Sequence, residues 1–279
     1  MANIPLKVVH QYLRHDKKFP HVWCAGCSNG IVLGAVIRAI AAMNLNRDDV
    51  VMVSGIGCSS RMPVYVDLNT MHTLHGRAIA YATGVKMYKP NMKVIVITGD
   101  GDCTAIGGNH LIHAARRNLD LSVILVNNNI YGMTGGQCSP TTPHQALATT
   151  APYGNIEPEF DICKLAMGAG ATHVARTTAF HVAEMQKHFQ AALEHPGFSL
   201  IEIIAACPVI YGRLNKKGGA PQMMKEFRDN SIPLTAVEKL PPEQVEGKII
   251  RGTLRQEIRP EYTQAYADLL DRVQKMGDE

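Results

Sequence analysis

No stretch of this chain is apolar for long enough to be read as a membrane span. The longest near-apolar run, Ile31–Met43, is interrupted by Arg38, whereas a helix crossing a bilayer takes about 20 apolar residues. The N-terminal segment MANIPLKVVHQYLRHDKKFP has no apolar core of the kind a secretory leader carries. The expected compartment is therefore the cytoplasm. A charge excess is also missing: 28 Lys and Arg face 24 Asp and Glu, a formal net charge of +4. No basic run is interleaved with aromatics, which argues against a nucleic-acid surface. So mild a balance favours acidic partners only modestly. Internal repeats and low-complexity tracts are absent as well.

What is present is an ordinary globular composition, 46% hydrophobic and 19% charged over 279 residues. That length fits one large α/β domain or two small ones. Seven cysteines, an odd number, occur without an export signal. A disulfide framework is not expected in a reducing compartment, and clustered cysteines there point to metal or redox chemistry.

Apolar runs alternate with helix-length patterns. Strands are predicted over Asp49–Ser54, Lys93–Thr98, Leu121–Asn127, Ala171–Ala175 and Ser199–Ala205. Helices are predicted over Ser28–Met43, Gly76–Tyr88, Gly107–Arg117, Phe160–Gly168, Phe180–His195 and Glu261–Lys275. Strands apolar on both faces and separated by helices indicate an α/β fold, a parallel sheet covered on both sides. The Gly-, Pro-, Thr- and Ser-rich segment 134–158 is too long for a plain connection and reads as a functional loop. Residues 1–215 are expected to carry the sites. Lys216–Pro221 reads as a flexible joint, and 216–279 as an arm packing on a partner subunit.

Two motifs sit at the ends of predicted strands. Gly99-Asp100-Gly101-Asp102 follows KVIVIT, and Asn127-Asn128-Asn129 follows LSVILV, with 25 residues between Gly101 and Asn127. One helical crossover thus joins two strands that end on the same edge, where ligands bind in open α/β sheets. Mg²⁺ takes oxygen ligands shared with phosphates. Asp100 offers a carboxylate, Asn128 an amide oxygen and Ile130 a backbone carbonyl. A lone GDG is usually a turn, but the pair at this spacing is similar to the thiamine-diphosphate motif.

The cysteines form a second set. Cys24 and Cys27 make a CxxC before a helix, Cys58 follows the strand DVVMVS, and Cys207 precedes Pro208 after SLIEIIA. Four thiolates suit a [4Fe–4S] cluster. Structural zinc takes the same ligands, though usually from two close pairs, and here only one pair exists. The residues alone leave both metals open, and with zinc the chain would be a non-redox binding module. Cys103, Cys138 and Cys163 read as core or surface residues.

Trp23-Cys-Ala-Gly-Cys27, Gly55-Ile-Gly-Cys-Ser59, His75-Gly-Arg-Ala78, Gly99-Asp-Gly-Asp102, Asn128-Asn-Ile-Tyr-Gly132, Thr134-Gly-Gly-Gln137 and Ala206-Cys-Pro208 occur in one family's order. Over roughly residues 15–230 the chain resembles the β subunit of 2-oxoacid:ferredoxin oxidoreductases, most nearly the 2-oxoglutarate type. The resemblance implies a thiamine-diphosphate-binding fold and CoA-dependent oxidative decarboxylation of a 2-oxoacid, with electrons passed to ferredoxin and the reaction reversible. It implies Mg²⁺ on Asp100, Asn128 and Ile130, and a [4Fe–4S] cluster on Cys24, Cys27, Cys58 and Cys207. It implies thiamine diphosphate lined by Ile56, Gly57, Cys58, Ser59, His75, Gly101, Asp102, Gly132 and Met133. Of these, His75 and Asp102 are candidates for catalysis together with Thr134, in a loop beside the substrate. Thiamine enzymes also need a carboxylate from a pyrimidine-binding domain, for which this chain has no room. An obligate α subunit is therefore expected, in an αβ or (αβ)₂ assembly. The chain departs from the family at Ala25 and Ser28, where relatives often have Pro and Gly. Some relatives carry Lys at the places of Gly135 or Gly136, so no Lys contact to substrate transfers. Pyruvate and other 2-oxoacids share this β-subunit chemistry. Arg213, Lys216 and Lys217 could meet ferredoxin or CoA phosphates, but a solvated basic loop is the plainer reading.

Overall fold

Side chains alternate across a strand, so a strand apolar at every position must be covered on both sides. The computed structural model, which describes residues 6–16 and 20–277, meets that requirement with a layered α/β fold. Its strands are β1 (Val50–Ser54), β2 (Asn69–His72), β3 (Lys93–Gly99), β4 (Ser122–Asn127), β5 (His173–Thr178), β6 (Ser199–Ile204), β7 (Ser231–Pro233) and β8 (Ile249–Gln256). Its helices are α1 (Leu6–Gln11), α2 (Asn29–Ala42), α3 (Ala78–Tyr88), α4 (Gly108–Arg117), α5 (Ile162–Ala169), α6 (Val182–Glu194), α7 (Ala220–Asp229), α8 (Leu234–Val237), α9 (Pro242–Val245) and α10 (Tyr262–Gly277). The strands form one sheet in the order β2-β1-β3-β4-β6-β5-β8-β7. All pairings are parallel except that of β5 with β8.

Val50, Met52, Ile95, Ile97, Ile124, Val126, Ile201 and Ile203 turn to one face, where α2 and α6 cover them. Their neighbours Val51, Val53, Val94, Val96, Val123, Leu125 and Leu200 turn to the other, under α3, α4 and α5. Fully burying one such side chain stabilises by about 1.5–3 kcal/mol.

Sheet order also positions the site. From β1 the chain steps outward to β2, then crosses back to β3 on the far side of β1. The carboxyl ends of β1 and β3 therefore flank a topological switch point, where such sheets open a crevice.

The five predicted strands form with boundary shifts of a few residues, the largest being β5, expected over Ala171–Ala175. The predicted helices form as α2 to α6 and α10. The polar segment after Pro233 holds more order than its composition suggests, because β8 pairs antiparallel with β5 and β7 pairs with β8. Residues from Ala220 onward make a helix, with Pro221 in its first turn, where the missing N–H is not needed. Beyond the sheet, α10 buries Thr263 alone among its side chains.

Candidate cofactor and metal site

Loops after β1, β3 and β4 meet at the switch point around a cleft of about 200 Å³. Ile56, Gly57, Cys58, Ser59, His75, Asp100, Gly101, Asp102, Asn128, Ile130, Gly132, Met133 and Thr134 all line it. The chain can approach itself this closely only where a side chain is absent. A methyl group on Gly101 would stand 2.2 Å from the ring of Tyr131.

Asp102 is 3% exposed, and its oxygens are occupied from within the protein. Oδ1 accepts from the Ile56 N–H at 3.2 Å, the Gly76 N–H at 2.7 Å and His75 Nδ1 at 2.7 Å. Oδ2 accepts from the Thr98 hydroxyl at 2.8 Å. The carboxylate thus ties the β1 loop to the His75 loop and fixes the imidazole ring, with Nδ1 engaged and Nε2 left over.

Asp100 is buried differently. The hydroxyls of Ser139 and Thr141 each donate to its Oδ2 at 2.6 Å. Burial pushes this carboxyl above its ordinary range, while the two hydroxyls pull the other way. A buried carboxylate with no basic side chain bonded to it among the described residues suits a cation as its neighbour. The amide oxygen of Asn128 and the backbone of Ile130 share the cleft.

The cysteine loops are stitched together by bonds from residues beside the sulfurs. Trp23 Nε1 donates to the carbonyl of Cys58 at 2.6 Å. Ser28 donates its N–H to the carbonyl of Ala206 at 3.2 Å. In return, the Ser28 hydroxyl accepts from the Ala206 N–H at 2.9 Å. The CxxC is thereby bound to the loops of both Cys58 and Cys207. A methyl group on Gly132 would lie 3.5 Å from Cys58 Sγ and 3.8 Å from Cys207 Sγ, so both sulfurs flank one backbone position at the cleft. Burial pushes the Cys58 thiol up to about 12, with Cys27, Cys207 and Cys24 adding repulsion, and it raises Cys27 as well. Burial and the neighbouring sulfurs thus disfavour the free thiolates. Among the described residues, no three His, Cys, Asp or Glu side chains stand close enough to share a single ion.

Several residues of this site carry no motif of their own. Ser139 and Thr141 lie in the 134–158 loop, whose composition marks it as functional without saying which hydroxyl matters. Asn29 lines the cleft while donating to Cys27 Sγ at 3.3 Å, and Tyr131, though inside the Asn128–Gly132 motif, closes over Gly101 in a contact that the motif does not specify. No sequence spacing announces such contacts, because they depend on where loops land.

Residues 55–203 match the model of the thiamine pyrophosphate enzyme C-terminal TPP binding domain. A 2-oxoglutarate synthase subunit KorB of Methanothermobacter marburgensis is 49% identical over 96% of this chain and 92% of its own. The subunit of that name from Methanocaldococcus jannaschii is 47% identical over 94% of this chain and 97% of its own. A solved 2-oxoglutarate:ferredoxin oxidoreductase from Magnetococcus marinus, with 2-oxoglutarate, coenzyme A and succinyl-CoA bound, superposes with a TM-score of 0.84. It is 34% identical, and the match covers 98% of this chain and 92% of that one.

Proposed function

The chain belongs to the family of 2-oxoglutarate synthase KorB subunits, and from that membership we propose that it is the β subunit of a 2-oxoglutarate:ferredoxin oxidoreductase. The enzyme converts 2-oxoglutarate and CoA to succinyl-CoA and CO₂, passes two electrons singly to ferredoxin, and can run in reverse. The observation that carries this reading is that Asp100, Asn128 and the Cys58 loop line one cleft at the switch point of the sheet.

The donor set fits the groups the family uses. Asp100, Asn128 and the Ile130 carbonyl would hold Mg²⁺ against the diphosphate. Ile56, Gly57, Ser59, His75, Gly101, Gly132 and Met133 would line thiamine diphosphate, with Asp102 acting through His75 and the loop backbones. Cys24, Cys27, Cys58 and Cys207 would ligate one [4Fe–4S] cluster. When bound, thiamine diphosphate supplies the electron sink for decarboxylation and the cluster a one-electron relay. The protein's own part is to anchor, orient and exclude water. Asp100 and Asn128 oppose the diphosphate charge through the ion. Asp102 holds the His75 ring with Nε2 free to meet a polar group of cofactor or substrate. Thr134 stands at the mouth, its hydroxyl donating to Gln137 at 2.5 Å.

A partner α subunit completes this reading. The cleft holds about 200 Å³, below the roughly 300–1,000 Å³ of pockets that enclose a ligand by themselves. A cofactor of this size would protrude past Ile56 and Met133, two apolar lining residues that are themselves exposed. The exposed apolar face of α10 is a second surface for the same partner.

Anaerobic purification with the co-expressed partner tests the assignment. Expected are about four irons per β chain without zinc, and viologen reduction by 2-oxoglutarate that requires CoA and thiamine diphosphate. Activity only with pyruvate or another oxoacid would reassign the substrate. Zinc without iron would remove the redox reading.

A further inference from the structure

Ser139 and Thr141 belong to none of the motifs that mark this site, yet both hydroxyls fall on the same oxygen of Asp100. Each lies 2.6 Å from Oδ2. Oδ1 takes no side-chain donor among the described residues, and the backbone N–H groups of Asp100 and Gly101 also bond the carboxylate. The terminal torsion of an aspartate is broad and two-fold, so the backbone does not choose which oxygen faces a ligand. Two donors on one oxygen make that choice.

The side chain next to Thr141 is fixed by partners of its own. Thr141 Oγ1 is 2.9 Å from Asn127 Oδ1. The Asn127 amide can sit only one way round. Its Nδ2 donates to Glu202 Oε1 at 2.8 Å, and its Oδ1 accepts from the Asn129 N–H at 3.1 Å. Reversed, an oxygen would face a carboxylate and an NH₂ would face an N–H. Glu202 is 2% exposed and is paired with Arg176, whose Nε donates to Oε2 at 2.6 Å. Arg176 in turn donates to Asp161 at 2.5 Å. A polar chain thus runs from the Asp161–Arg176 pair through Glu202 to Asn127 at the end of β4, beside Thr141.

We propose that Ser139 and Thr141 are positioning residues for Asp100, holding Oδ2 so that Oδ1 is presented to the metal. This rests on the reading of Asp100 as a Mg²⁺ ligand. Outer-sphere partners of metal carboxylates typically alter affinity 10–100-fold.

The test uses the full anaerobic complex and Mn²⁺ as probe, titrated with thiamine diphosphate present and followed by the EPR signal of free Mn²⁺. Thr141→Val removes the hydroxyl at nearly constant volume, and is expected to weaken Mn²⁺ binding about tenfold. Ser139→Ala is expected to do the same, while Thr141→Ser binds as wild type. The metal-free variants are checked by thermal unfolding, and if Thr141→Val does not fold, Ser139→Ala alone decides. Wild-type affinity in both hydroxyl-deleted variants overturns the proposal. So does an equal loss in Thr141→Ser and Thr141→Val, which would assign the effect to the methyl group. Asp100→Asn separates the two levels: its binding Mn²⁺ normally would sink the metal reading itself. Loss in Asp100→Asn with no loss in the hydroxyl variants would sink only the positioning role.

Discussion

At the scale of single residues, the two aspartates of Gly99-Asp100-Gly101-Asp102 have opposite surroundings. Asp100 takes hydroxyls on one oxygen only, whereas Asp102 takes donors on both. Asp102→Asn replaces one accepting oxygen by an NH₂ that faces a donor. It is expected to cost about 1–3 kcal/mol, read by urea unfolding, and to lower turnover through the unheld His75. Wild-type values of both would show that the His75 tether is dispensable. Cys207→Ser should lose the cluster. An unchanged low-temperature EPR signal from the reduced complex would remove Cys207 from the ligand set. His173 on β5 is 1% exposed, and neither ring nitrogen has a hydrogen-bond partner among the described residues. Burial drives its pKa down to about 4, with His195 and His188 adding. Between that value and the ordinary value of about 6.5, the unfolded chain binds the extra proton. Stability is therefore full above that window and falls as pH drops through it, by about 3 kcal/mol at most. His173→Phe should flatten the difference in urea midpoint between pH 7 and pH 5. A variant as acid-sensitive as the parent would place the lability elsewhere.

At the scale of elements, strand ends do the positioning and strand middles hold them still. Phe198, which leads into β6, is fully buried in the core beneath α3, α4 and α5. Phe198→Ala is expected to cost about 3–5 kcal/mol, measured by chemical denaturation. A cost below 1 kcal/mol would mean that this layer is loosely packed. The central strands were legible because their apolar runs need two covered faces. β2 was not, since Asn69–His72 is mostly exposed and polar at the sheet edge. Nor was β8, whose Ile249–Gln256 alternates with arginines and takes its identity from pairing with β5. Local pattern reports burial, and neither of these strands has a fully buried residue.

At the scale of the whole molecule, the shallow cleft and the exposed face of α10 both point outward. Leu269 and Leu270 are 41% and 45% exposed. Changing both to Glu should break the co-purified complex without shifting the thermal midpoint of the chain itself. Persistence of the complex by size exclusion would mean that α10 serves another purpose. The apolar runs and motif spacing by themselves determined the sheet class and placed Asp100, Asn128, Cys58 and Cys207 at strand ends, because these follow from strand burial and length; the other lining residues were expected only from the resemblance. Only the tertiary structure decided what each group faces. Asp102 turned out to be a tether, Ser139 and Thr141 a clamp on Asp100, and the polar tail a strand. Hydrogen-bond partners 39 to 46 positions apart are brought together by loop paths, and no local spacing encodes where a loop will pass.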